Sequence, residues 1–116
     1  MRDRIRAFDW SKSPLGPIEE WPISLRTIVA VMLGNLYPMA VWWGRDSLQL
    51  YNDAFRPILG DKHPASLGSS GLAVWRESWE VFGPMARAVL DGGPATWHEH
   101  LLVPRRSQRV WRGSVL

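Results

Sequence analysis

Between Met39 and Gly60 the hydrophobic period changes once, and that change restricts the fold more than any other feature of the chain. The apolar run Met39 to Trp43 ends at a turn containing Gly44. The next run then alternates as Leu48, Gln49, Leu50, Tyr51. Two short runs around a polar turn read as a β-hairpin. From Asn52 onward the spacing is helical. Asn52 or Asp53 can cap a helix, Phe55, Ile58 and Leu59 share one face, and Gly60 stops it.

The flanks are organised by the same signals. Residues 1–21 are a lead-in in which Ser11, Ser13, Pro14, Gly16 and Pro17 block regular structure. Phe8, Trp10, Leu15, Ile18 and Trp21 are too apolar for a free linker, so the lead-in is expected to lie against the domain. Pro22 suits a first helical turn. Leu25, Ile28, Val29, Met32 and Leu33 then recur as an amphipathic stripe, giving a helical unit over 22–35. That stripe needs a cover, either the domain itself or a second subunit. Adjacent Trp42 and Trp43 must point to opposite faces of their strand. A longer helix is expected from Trp79 to Leu90, burying Val81, Phe82, Met85, Ala86, Val89 and Leu90, with Pro84 disturbing its start. Ala95 to Val103 reads as a third strand. The unit over 36–104 is the core, and 105–116 is a basic tail in which Val110, Trp111, Val115 and Leu116 can supply one strand at most.

Hairpin, asparagine, short helix and glycine, followed by Lys62-His63-Pro64-Ala65-Ser66-Leu67-Gly68, resemble the start of a PAS sensory domain. The subtype is the one found in bacterial sensor histidine kinases and related signalling proteins. Phe8-Asp9-Trp10-Ser11, Pro14-Leu15-Gly16-Pro17 and Trp21-Pro22 with Ser24-Leu25-Arg26 resemble the lead-in of that subtype, so the resemblance covers about residues 8 to 104. It implies an α+β fold, with a five-stranded antiparallel sheet, short helices on one face and an N-terminal amphipathic helix. The tail departs from the pattern, because two further strands should follow residue 104 and twelve residues hardly hold them. The last strands are therefore expected to be incomplete, leaving a sheet edge open to another chain.

Composition removes several function classes. With no cysteine, disulfides, thiol catalysis and Cys-ligated metals are excluded. Net charge is +3, yet Arg105, Arg106, Arg109 and Arg112 crowd the last twelve residues. Removing those four from 14 basic residues leaves ten against 11 acidic ones, so the body is near neutral. A nucleic-acid face needs a basic stripe across the folded surface, and none is expected. Thr27 to Gly44 carries no charge but is short for a membrane span and is interrupted by Gly34, Asn35 and Pro38. A cytoplasmic protein without a membrane span is expected. His98-Glu99-His100 has metal-like spacing on a strand, but no further ligand spacing accompanies it, and no metal site is assigned. Gly68-Ser69-Ser70-Gly71 is too short for a phosphate loop and lacks its lysine. No nucleophile or paired-carboxylate motif occurs, so no catalytic residue is assigned and no enzyme is expected.

Eight tryptophans can line a pocket or fill a small core. Alternation puts Leu48 and Leu50 on one strand face and Gln49 and Tyr51 on the other. A cavity is expected between the Leu48 and Leu50 face and the segments carrying Phe55, Trp75 and Phe82. Asn52 is its nearest polar group, and His63, Trp79 and Trp97 are further contacts. The candidate subunit interface is Leu25, Ile28, Val29 and Met32. The resemblance implies a sensor that relays a signal to an output domain outside this chain, with a second copy as partner. The flavin photoadduct and the thioester-linked chromophore of some PAS domains both use a cysteine, absent here. Haem-binding members commonly use a histidine on the long helix, and residues 76–91 have none, so haem is disfavoured and the cofactor stays open. The competing reading is a dimerisation module without a small ligand.

Overall fold

A computed structural model describes residues 1–92 and the backbone of two further strands, 96–102 and 110–115. The fold is mixed: five α-helices, several single 3-10 turns and four strands are present among the described residues. Helix α1 spans Arg2–Ala7 and α2 spans Ile23–Leu33. Strands β1 (Ala40–Trp43) and β2 (Leu48–Tyr51) follow. Two one-turn helices, α3 (Arg56–Leu59) and α4 (Gly71–Val74), lead to the long helix α5 (Trp79–Leu90). Strands β3 (Thr96–Leu102) and β4 (Val110–Val115) come last.

The hairpin forms where alternation places it. β1 and β2 pair antiparallel, with Trp42 opposite Gln49 and Ala40 opposite Tyr51. Gly44 turns the chain at φ +76°, a left-handed conformation that glycine adopts without steric cost. The outer edge of β2 is also occupied: Gln49 N donates to Ser69 O, and Gly68 N donates to Gln49 O. All four β2 residues are consequently buried, the polar Gln49 included.

β3 and β4 form a second two-stranded antiparallel ladder, with Trp97 opposite Ser114 and an irregularity between His98 and Leu101. The two ladders are separate sheets, so a single five-stranded sheet is not what the described residues form. β4 falls inside the segment set apart as a basic tail and pairs with β3.

The hairpin has a different cover on each face. Helix α2 packs against β1 and β2 and buries Leu25, Val29 and Met32, with Ile28 half-buried. Three of the four residues expected at a subunit interface are therefore interior to this chain. The correction follows from the hairpin itself, against which most of the stripe packs. The outer face of α2 carries Ile23 and Val31, both exposed. The lead-in lies on the core too. Trp10 and Trp21 are buried in T-shaped contact, and their indole N–H groups donate to Ile5 O and Gly16 O. A Cβ on Gly68 would meet Phe8 at 2.8 Å, so the lead-in docks where that residue has no side chain. Along α5, Phe82, Gly83 and Ala86 are buried, whereas Val81 and Leu90, expected inside, are exposed. No helix among the described residues is long and apolar enough to cross a membrane.

Candidate functional site

Residues alternate across a strand, so the faces of β2 divide as Leu48 and Leu50 against Gln49 and Tyr51. Asn52 continues the leucine face, and its side chain is bonded to the end of α2. The leucine face is therefore the α2 side. Gln49 and Tyr51 look the other way, toward the segment 55–82. The expected cavity wall of Leu48, Leu50 and Asn52 is thus on the wrong side of the hairpin from Phe55, His63, Trp75 and Phe82. The correction is a change of face, which moves every side chain in the strand at once.

Asn52 is committed elsewhere. Its Oδ1 accepts from Phe55 N and Met39 N, both at 3.1 Å, capping the turn at Asp53–Phe55 and closing the hairpin. Its Nδ2 donates to the carbonyls of Met32, Asn35 and Tyr37. A side chain with both ends occupied by backbone is a structural tie.

The opposite face is built around Gln49. Oε1 accepts from Trp42 Nε1 at 2.9 Å and from Trp75 Nε1 at 2.8 Å. Around this bridge the rings stand edge to face or tilted. Trp42 lies 5.4 Å from Phe82 and 5.5 Å from Trp79, and Trp75 lies 5.9 Å from Phe82 and 6.3 Å from Phe55. Such contacts favour the quadrupole geometry of aromatic pairs. Gln49 Nε2 is buried with no hydrogen-bond partner among the described residues. Trp42 and Trp79 are half-buried and form the accessible side of the wall.

Next to Gln49 on the same face, Tyr51 is fully buried, and its Oη lies 2.7 Å from His63 Nδ1. Tyr51 donates when the imidazole carries its proton on Nε2. Burial pushes the Tyr51 phenol up from its ordinary value. Burial likewise pushes His63 below its ordinary range, with Arg56, Arg4 and the terminal ammonium acting in the same direction. The downward shift favours the neutral His63 ring near pH 7, where the Tyr51 phenol is neutral in any case. At the rim, Lys62 Nζ sits 5.8 Å from the Trp75 ring and pairs with Glu77 at 3.1 Å. Asp53 pairs with the terminal ammonium at 2.8 Å, whose hydrogen bond holds its carboxyl low.

The structure thus brings Phe55, His63, Trp75, Trp79 and Phe82 together on one face, joined by Trp42, Gln49 and Tyr51, which the sequence pattern alone does not place there. Alternation already paired Gln49 with Tyr51. The missing signal was that a glutamine can face an interior when two indole donors satisfy its oxygen. The Trp97 side chain and those of His98 and His100 lie outside the described residues. No cluster of His, Asp and Glu suited to a metal ion occurs among the described residues.

Comparison with protein-family models, curated proteins and solved structures returned no match for this chain.

Proposed function

We infer that the chain is a PAS-type sensory and signal-relay module of a bacterial signalling protein. It takes a small apolar or planar molecule on the Gln49 and Tyr51 face and passes the signal to an output domain outside this chain. The observation that carries this reading is the aromatic face itself. Trp42 and Trp75 bond one buried amide, Trp79, Phe55 and Phe82 pack on those two indoles, and ligand sites are mostly apolar with few placed polar groups. The motifs that resemble a PAS lead-in and hairpin support it. No residue is given a catalytic role. A ligand would act by binding one arrangement of the hairpin and its covers better than another.

Thermal unfolding tests the reading. Protein as purified is compared with protein unfolded, dialysed and refolded, and the dialysed small-molecule extract is then added back. A bound ligand raises stability by mass action, so stripping lowers Tm and the extract restores it. Identical melting in all three samples would remove the ligand.

The second reading, a ligand-free dimerisation module, is favoured by one surface. Ile23 and Val31 on the outer face of α2 are exposed, and Leu36 and Tyr37 beyond its end are exposed at 95% and 78%. A partner of this kind would bury a face with Arg26 as the charge of α2.

A further inference from the structure

The Gln49 amide is fully buried, and its orientation is fixed. Indole nitrogens only donate. Reversing the amide would set its NH2 group against both Trp42 Nε1 and Trp75 Nε1, which now donate to Oε1 at 2.9 and 2.8 Å. Nε2 is therefore a donor, and it has no acceptor among the described residues. Leaving a buried donor unpaired costs free energy, and the site recovers that cost only when an acceptor arrives.

We propose that Gln49 Nε2 is the recognition donor of an aromatic-lined site for a small, neutral, planar molecule bearing a carbonyl-type oxygen. The inference rests on the sensory reading above and names the ligand class of that same face. Neutrality follows from the walls. Trp42, Trp75 and Phe82 carry no charge, and the nearby cation, Lys62, is already paired with Glu77 at the rim. An anion buried here would lack a counter-charge. Planarity follows from the walls, which are flat indole and phenyl rings and pair best with another flat group. Entry is from the Trp42 and Trp79 side, where the wall is half-buried. A carbonyl oxygen, which only accepts, suits this donor better than a water does. A water would bring hydrogens of its own, and Gln49 Oε1 is already accepting two bonds.

The test uses a matched pair of probes, indanone, which carries the oxygen, and indane, which does not. In the wild-type chain indanone should bind on the order of tenfold more tightly than indane. The two Gln49 Nε2 proton resonances should move downfield with indanone alone. Gln49→Glu keeps an oxygen for both indoles and replaces the donor with an acceptor, so it should abolish the preference. If that variant does not fold, the wild-type Nε2 resonances decide by themselves. Equal affinity for the two probes, binding of neither, or unmoved Nε2 protons overturns the proposal. So does a long-lived water on Nε2 that indanone does not displace. A chain that melts higher with its own extract yet does not distinguish the probes keeps the sensory reading and loses this one. Failure of both experiments removes both.

Discussion

Asn52 Nδ2 lies 3.0 Å from the carbonyl oxygen of Met32, tying the end of β2 to the last turn of α2. The same nitrogen reaches the carbonyls of Asn35 and Tyr37, while Oδ1 caps the turn that follows. One amide thus fixes the angle at which α2 lies on the hairpin.

Asn52→Ala should therefore cost more than an ordinary cap. The cap alone contributes about 1 kcal/mol, and taking the Nδ2 donor away from the carbonyls of Met32, Asn35 and Tyr37 brings the loss to about 3 kcal/mol. Asn52→Asp keeps the cap but sets a carboxylate against three carbonyls, so it too should be clearly destabilised. Urea denaturation of both variants checks this. An Asp variant as stable as the parent would show that the Nδ2 bonds contribute nothing.

Gly83 reverses the usual helix rule. Glycine to alanine inside an exposed helix gains about 1 kcal/mol. Here, however, a Cβ at residue 83 would stand 2.8 Å from Trp79 Nε1, and one at Gly71 would stand 2.8 Å from the far edge of the same ring. The indole is wedged between two glycines. Gly83→Ala should destabilise by roughly 1–3 kcal/mol through overpacking. In a Trp79→Leu background the same change should become neutral or stabilising. Additive effects would show that the wedge is not tight.

His63 gives the domain a pH dependence whose sign can be worked out. Its folded value lies below the ordinary 6.5, so the folded state favours the neutral ring bonded to Tyr51. The unfolded chain takes up the proton first as pH falls. This contribution is fully present above the ordinary value and is lost as pH falls toward the depressed folded one. Tm should drop between about pH 7.5 and pH 5.5, and His63→Gln should flatten that slope. A slope unchanged in the variant would assign the effect to other groups.

Much of the architecture was legible because local signals agreed. Alternation located β1 and β2, the stripe from Leu25 to Met32 located the buried side of α2, and Asp91-Gly92 marked the end of α5. What was not legible was the direction in which each face looks. Apolarity alone points to Leu48 and Leu50 as the cavity wall and leaves Gln49 and Tyr51 on the other face. Only tertiary pairing with Trp42 and Trp75 makes a buried glutamine acceptable. Asn52 is a related case, since the spacing shows its cap but not the three carbonyls brought to it by the end of α2 and the residues just after it. The exposed ends of α5, Val81 and Leu90, likewise depend on where the neighbours stop.

Native mass spectrometry of the protein, purified gently from the cells that make it, tests the central claim most directly. The account predicts a fraction of the chain carrying one small molecule, released intact on mild collisional activation and identifiable as neutral and planar. Bare chain alone, whether as monomer or as dimer, would contradict a ligand-binding sensor. A bare dimer would point instead to the face of Ile23, Val31, Leu36 and Tyr37.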